Sequence, residues 1–252
     1  MKLTFIGNGN MAKALIKGLI SKYEIEVLGR NISTLEQLKK EIPNITISTL
    51  TPNQDITNKN IILCVKPYSL PELSLSGEAN SLYSVLAGTT IESLKQAIKS
   101  KAYIRTMPNL AASNLKSMTT ITGDETLKES AIEIFNAIGK TLWLNTQKEL
   151  DIATGLAGSG PAFLALVAEG LEDGAVNAGL KREDAKLLSA GLFDGFASLL
   201  EQQNASSIKD GVMSPGGTTA AGYSVLEKHN VRYAMIEAIE VAYQKALALG
   251  KK

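Results

Sequence analysis

The chain has 252 residues, 44% of them hydrophobic and 20% charged, which are ordinary proportions for a globular protein with one large domain or two smaller ones. Lysine plus arginine number 26 and aspartate plus glutamate 25, and the resulting net charge of +1 argues against nucleic acid or an anionic membrane surface as the main partner. The sequence contains one cysteine, Cys64, and one histidine, His229, which excludes an intramolecular disulfide and a metal site built from clustered cysteine and histidine ligands.

The sequence also gives no sign of export or of a membrane span. Its first ten residues lack a long apolar stretch, which predicts that there is no signal peptide. The longest nearly continuous apolar run, residues 161–168, is far shorter than the roughly 20 residues that cross a bilayer. We therefore expect a soluble, cytoplasmic protein.

The first half of the chain alternates short β-branched apolar runs with amphipathic helical patterns. Helices are predicted near residues 10–21, 33–41 and 90–99. The apolar runs predict strands at residues 3–6, 25–28, 61–65, 82–86, 103–106, 118–122 and 141–144. This alternation is typical of a parallel α/β sheet with helices on both faces, and it predicts a Rossmann-type domain over residues 1–147.

The second half, residues 148–252, is predicted to be an all-α domain. Helical patterns cover residues 161–178, 183–201 and 231–249. The helix around residues 163–168 is apolar on nearly all sides, so it has to be covered on more than one of them. Few other elements are available to do so, which favours a partner subunit, with burial inside one subunit as the alternative.

A glycine-rich fingerprint directly follows the first predicted strand and opens a helix. Its G-x-G-x-x-A pattern is formed by Gly7, Gly9 and Ala12. In dinucleotide-binding folds these positions allow a tight turn, close approach of a pyrophosphate and close helix–strand packing. The helix N-terminus adds free N–H groups for the anion. The pattern predicts a dinucleotide site, with a simple turn as the alternative.

The residues that end the second strand indicate which dinucleotide is bound. NAD sites usually place an acidic residue there to hold the ribose hydroxyls. This chain instead has Arg30 and Asn31, which can pair with and donate hydrogen bonds to a 2′-phosphate. NADPH is therefore favoured over NADH, with an ordinary surface arginine as the alternative.

Further loop sequences follow the later strands and the helices. Lys66-Pro67, Ala87-Gly88 and Asn109 come directly after predicted strands, and should share the carboxyl edge of the sheet, where α/β folds bind ligands. In the helical half, residues 155–162 and 214–219 are too rich in Gly, Ser, Thr and Pro to be ordinary helix. Their successive N–H groups could hold a carboxylate, or only cap a helix.

With these segments in place, the sequence resembles the pyrroline-5-carboxylate reductase family. The matching stretches run in order from residue 5 to the C-terminus and read FIGNGNMAKALIKGL, CVKP, MPN, GLAGSGPAF, KDGVMSPGGTTAAG and MIEAIEVAYQKAL. The paired GSGPA and SPGGTT motifs are specific to the family, whereas the nucleotide fingerprint is not. One departure is Leu110-Ala111, where the family commonly has Thr-Pro after MPN.

The resemblance implies NADPH-dependent reduction of 1-pyrroline-5-carboxylate to L-proline, the last step of proline biosynthesis, by hydride transfer to the C=N carbon. It implies a homodimer with interlocked helical domains, and the family also assembles larger homo-oligomers. The substrate carboxylate would be held by Ser214, Gly216, Gly217 and Thr218, and Thr219 would be catalytic, binding the ring nitrogen. With Arg30 included, the cofactor-binding residues would be Ile6, Gly7, Asn8, Gly9, Asn10, Met11, Arg30, Asn31, Asn53, Cys64, Val65, Lys66, Pro67, Ala87, Gly88 and Asn109.

Two other functions remain as alternatives. A β-hydroxyacid dehydrogenase also joins a Rossmann domain to helices, but it needs a lysine on the interdomain helix, and here none follows Gly160-Pro161 before Lys181. A non-catalytic nucleotide sensor would keep the fingerprint without needing SPGGTT. Neither His229, in a polar stretch, nor Cys64, in a predicted buried strand, is expected to act in catalysis.

Overall fold

The computed structural model describes residues 1–249, and their contacts divide the chain into two compact units. The first unit contains residues 1–159 and those from 239 onwards, and the second contains Gly160–Ala238.

A parallel sheet forms the centre of the first unit. Its strands in chain order are β1 (Lys2–Ile6), β2 (Glu24–Gly29), β3 (Thr46–Thr49), β5 (Asn60–Leu63), β7 (Ser81–Ser84), β8 (Tyr103–Met107), β9 (Ser117–Gly123) and β10 (Gly139–Trp143). Their spatial order is β10-β9-β8-β7-β5-β1-β2-β3, and among the described strands of this sheet only the β8–β9 pair is antiparallel. A separate short pair joins β4 (Gln54–Asp55) to β6 (Leu75–Ser76).

Helices cover both faces of this sheet. They are α1 (Asn10–Leu19), α2 (Ile32–Glu41), α3 (Ile91–Ala97), α4 (Lys128–Asn136) and α5 (Gln147–Ala153). On one face Leu15 of α1, Leu35 of α2 and Phe135 of α4 pack with Phe5 of β1 in one buried cluster. On the other face, Leu94 of α3 packs in a second cluster with the strands. Burial on both faces explains why the central strands are almost wholly apolar.

The predicted Rossmann-type α/β fold is therefore confirmed, with specific differences. The predicted strands and helices all occur, with ends shifted by up to two residues. The β3 strand was not predicted, because it is an edge strand whose residues are mostly exposed and so show no apolar pattern. The helices α4 and α5 were not predicted either. The β9 strand runs antiparallel to β8, so the predicted parallel sheet is only predominantly parallel.

The second unit is helical, as predicted, but largely unburied. It contains α6 (Gly160–Asn177), α7 (Arg182–Gln202), α8 (Ala205–Val212), α9 (Thr218–Lys228) and the start of α10 (Val231–Leu249). Within residues 160–238, only Ala185, Ser189 and Ile208 are buried. Large apolar side chains are correspondingly exposed, among them Leu164, Leu166, Leu171, Leu187, Leu188, Leu192, Val225, Leu226, Tyr233 and Ile236.

The segment at residues 155–162, predicted to interrupt ordinary helix, is helical after all. After α5 the chain forms a π-helical turn, Thr154–Gly158, closed by a 3.0 Å bond from the Ser159 N–H to the Thr154 carbonyl, and continues as α6. Its N–H groups thus serve the helix, so of the two interpretations left open for this segment, an anion-binding nest and a helix cap, the structure does not support the nest. The continuous helix, Gln147–Asn177, is also long and apolar enough to cross a membrane by length and composition alone, unlike the short run expected from the sequence.

Candidate functional site

The turn after β1 requires glycine at its first position. Gly7 has φ +107°, in the region that favours glycine, and its N–H donates to the Leu28 carbonyl at 2.8 Å. A Cβ at Gly7 would lie 2.6 Å from the Cys64 carbonyl oxygen, closer than real Cβ contacts. The glycine therefore lets the exit of β1 pass directly beside the exit of β5.

Gly9 leaves an open cradle at the N-terminus of α1. It is the N-cap residue in an extended conformation, and no side chain of the described residues caps the helix. Apart from its two neighbours in the chain, no described residue places an atom within 4 Å of a Cβ built at Gly9. The cradle lies between β1 and β5, where the strand order reverses, which is the position at which α/β folds bind nucleotides. Uncapped N–H groups and free space fit a pyrophosphate.

The residues after β2 form a connected polar loop beside this cradle. Asn31 caps α2, with its Oδ1 accepting from the Ser33 N–H and the Ser33 hydroxyl, both at 2.9 Å. Asn8 Nδ2 donates to Thr34 Oγ1 at 2.8 Å, which ties the glycine loop to α2. Arg30 is exposed and its Nη1 lies 3.1 Å from Glu72 Oε2. The structure thus brings Asn8, Arg30 and Asn31 together at one edge.

Other predicted cofactor residues follow β3, β5 and β7. Asn53 is a turn residue with φ +55°, and its Oδ1 accepts from the Ser74 hydroxyl at 2.9 Å. Burial raises the pKa of the Cys64 thiol far above its ordinary value, which fits packing rather than nucleophilic chemistry. Pro67 begins a 3₁₀ helix, Pro67–Glu72, and Gly88 has φ +71°. These exits share the carboxyl edge with the cradle, because β3, β5 and β7 are all parallel to β1 or to its neighbours.

Asn109 has a different position from the one expected for a cofactor ligand. It is buried, its Nδ2 donates to the Ala157 carbonyl at 3.0 Å, and its Oδ1 accepts from the Ala111 N–H at 3.1 Å. The side chain therefore caps a 3₁₀ helix, Leu110–Asn114, and fastens it to the π-helical turn. Leu110-Ala111, which depart from the family pattern, accordingly form a regular capped turn.

A buried ion pair that the sequence did not predict connects β8 to α5. Arg105 on β8 is 1% exposed, and its Nη2 donates to Asp151 Oδ1 at 2.6 Å. Its Nη1 donates to Gln147 Oε1 at 3.3 Å. Both partners lie on α5, so the pair fastens this helix to the sheet near the exit of β8. From the sequence, Arg105 was predicted only to be part of a strand, because no local pattern indicates a pair with an acid 46 residues away.

The predicted substrate segment lies in the second unit, at the N-terminus of α9. Gly216 has φ +73°, the Gly217 N–H donates to the Ser214 carbonyl at 3.0 Å, and Gly217 is the N-cap residue of α9. No side chain within the described part of the chain caps this helix, so the N–H groups of its first turn, which starts at Thr218, can donate hydrogen bonds to an anion. Thr219 lines a cavity of about 430 Å³ within this unit, together with Lys209, Tyr223 and Arg232.

The fold and the glycine cradle define a dinucleotide-binding α/β protein with an appended helical unit. Residues 2–88 match the family described as NADP oxidoreductase coenzyme F420-dependent, and residues 147–249 match the family described as pyrroline-5-carboxylate reductase dimerisation.

Full-length relatives identify the family. The chain is 35% identical to a pyrroline-5-carboxylate reductase of Helicobacter pylori, over 96% of this chain and 98% of that protein. It is also 35% identical to one of Synechocystis, over 100% and 99%. The chain belongs to the pyrroline-5-carboxylate reductase family, as the sequence motifs predicted.

Solved structures agree with this assignment. The 1-pyrroline-5-carboxylate reductase of Streptococcus pyogenes matches with a TM-score of 0.89 and 28% identity, over 98% of each chain. The pyrroline carboxylate reductase of Plasmodium falciparum, which has NADP bound, matches with a TM-score of 0.83 and 27% identity, over 99% of this chain and 100% of that one.

Proposed function

We propose that the protein reduces 1-pyrroline-5-carboxylate to L-proline with NADPH, the last step of proline biosynthesis. The observation that carries the proposal is the 35% identity, over nearly the full length of both chains, to proteins named pyrroline-5-carboxylate reductase. The cradle at Gly7 and Gly9 supports it, because it fits the pyrophosphate of a dinucleotide. NADH is a possible but less favoured cofactor, since Arg30 follows β2 where NAD sites have an acid.

Two sets of residues have separate tasks in this reaction. When bound, NADPH supplies the hydride that adds to the C=N carbon. The predicted cofactor residues other than Asn109 line the dinucleotide, with the α1 N-terminus on the pyrophosphate and Arg30 and Asn31 on the 2′-phosphate. Asn109 acts on this wall through the loop that it caps.

The substrate is held by the second unit. Ser214 and the backbone of Gly216, Gly217 and Thr218 bind its carboxylate at the uncapped start of α9, and the Thr219 hydroxyl orients the ring nitrogen. A protonated cyclic imine is already electrophilic, so fixing it in the correct orientation supplies much of the catalysis. This division suits a substrate segment, residues 214–219, whose side chains include no acid or base.

The proposal includes a cytoplasmic homodimer with interlocked helical domains. The same proposal divides the chain into a nucleotide domain, residues 1–147, and a helical domain, residues 148–252. The exposed leucines of α6 and α7 support a protein partner, and the match of residues 147–249 to a dimerisation family favours a second copy over a lipid surface.

Light scattering on the purified protein tests this assembly. We expect a dimer or a multiple of dimers in the absence of detergent, because the apolar surface of the second unit has to be covered. A stable, soluble monomer at micromolar concentration would contradict the shared helical interface.

The function itself is tested by following NADPH oxidation at 340 nm with 1-pyrroline-5-carboxylate. We expect turnover that depends on this substrate and yields L-proline. Reduction of NADP+ by 3-hydroxyacids, with no turnover of 1-pyrroline-5-carboxylate, would indicate a β-hydroxyacid dehydrogenase instead. Binding of NADPH without oxidation by any cyclic imine would indicate a nucleotide sensor.

The role of Arg30 predicts a selective effect on the cofactor. Arg30→Ala is expected to weaken NADPH binding about 10- to 100-fold, because a charge-assisted contact to a phosphate is worth about 1.5–3 kcal/mol. NADH lacks the phosphate, so its affinity should change little. Fluorescence titration with both cofactors measures the two constants, and equal losses would refute the contact with the 2′-phosphate.

A further inference from the structure

Glu72 places a carboxylate beside the end of β2, where the residues that directly follow the strand include no acid. Its Oε2 lies 3.1 Å from Arg30 Nη1, although the two residues are 42 positions apart. Arg30 directly follows β2, and Glu72 ends the 3₁₀ helix, Pro67–Glu72, that follows β5. Since β1 lies between β2 and β5 in the sheet, the ion pair connects the loops on both sides of the strand that leads into the glycine cradle.

The pair is exposed enough to open when a ligand arrives. The two side chains are 69% and 64% exposed, and ion pairs this exposed contribute at most about 1 kcal/mol. A phosphate can therefore take the place of the Glu72 carboxylate on Arg30. The phosphate has to displace the Glu72 carboxylate from Arg30, and once bound it is repelled by that nearby negative charge.

On the basis of the proposed function, we propose that Glu72 is a specificity-determining residue that reduces the preference for NADPH over NADH. Its carboxylate competes with the 2′-phosphate of NADPH for Arg30 and repels it. For NADH, the same carboxylate supplies the acidic hydrogen-bond acceptor that NAD sites use for ribose hydroxyls. In this ion pair, Arg30 thus favours NADPH and Glu72 opposes the binding of NADPH.

The test compares Glu72→Gln with the wild-type full-length protein by calorimetric titration with NADPH and NADH. Titration with 2′,5′-ADP and 5′-AMP gives the same comparison without the nicotinamide and without turnover. We expect Glu72→Gln to bind NADPH and 2′,5′-ADP about three- to ten-fold more tightly, with NADH and 5′-AMP unchanged or weaker. The gain should shrink in 0.5 M salt, where charges are screened over about 4 Å.

Glu78→Gln is the matched control. Glu78 is an exposed acid of the same unit that precedes β7, so it lies at the opposite, amino edge of the sheet. The substitution changes the net charge equally and should leave the affinity ratio unaltered. An equal gain in Glu78→Gln would overturn the proposal, because net charge alone would then explain the effect.

The remaining outcomes separate this inference from the proposed function. An unchanged NADPH-to-NADH affinity ratio in Glu72→Gln, or weaker NADPH binding because Arg30 loses its support, would overturn the role of Glu72 while leaving the reductase function intact. Failure of the wild-type protein to bind either dinucleotide would overturn both.

Discussion

Replacing Asp151 with alanine is expected to lower the free energy of unfolding by about 3–5 kcal/mol, because it leaves the Arg105 guanidinium charged and unpaired in the core. Arg105 is 1% exposed, and the Asp151 carboxylate at 2.6 Å is its charged partner. Arg105 Nε has no hydrogen-bond partner among the described residues, so little else is available to compensate.

Denaturant unfolding at several protein concentrations measures this effect separately from any change in assembly. Glu24→Ala is the control, since it breaks an exposed ion pair with Lys2 in the same sheet and should cost less than about 1 kcal/mol. The double variant Arg105→Met, Asp151→Leu removes both charges and should recover most of the loss. If the Asp151→Ala variant is no less stable than the Glu24→Ala variant, the buried pair contributes nothing to the free energy of unfolding.

Replacing Thr219 with alanine is expected to reduce kcat on the order of 100-fold, with the affinity for NADPH nearly unchanged. Thr219 is the second residue of α9 and lines the cavity of the second unit. Alanine keeps the backbone N–H groups that bind the carboxylate, so the loss should come from the missing hydroxyl. Steady-state kinetics with 1-pyrroline-5-carboxylate and a separate NADPH titration measure the two quantities.

Two further substitutions test whether the hydroxyl itself is responsible. Thr219→Ser retains it and should restore most of the turnover. Thr218→Ala removes the neighbouring hydroxyl at the same helix end and should have a much smaller effect, because Thr218 is expected to act through its backbone. Equal losses in Thr218→Ala and Thr219→Ala would mean that the start of α9 had been disturbed, and unaltered kinetics would remove Thr219 from the site.

Two helices that were not predicted, α4 and α5, do have recognisable signals in the sequence. Thr146 and Glu149 form a capping box, and this T-x-x-E signature marks the start of α5. Ala131, Ile134 and Phe135 lie on the buried face of α4 at helical spacing. The π-helical turn at Thr154–Gly158 could not be predicted, because it depends on contacts such as that of Asn109 with Ala157.

The sequence by itself determined the fold, the dinucleotide cradle and the family. Strand periodicity, the positions of Gly7 and Gly9 and the SPGGTT segment are all local patterns, and local patterns can be recognised without coordinates. Only the tertiary structure paired Arg30 with Glu72 and Arg105 with Asp151, and it committed Asn109 to the Ala111 and Ala157 backbone. The reason is physical: charges and amides are satisfied by whichever group the folded sheet places within about 3 Å, and that neighbour can lie 40 or more residues away.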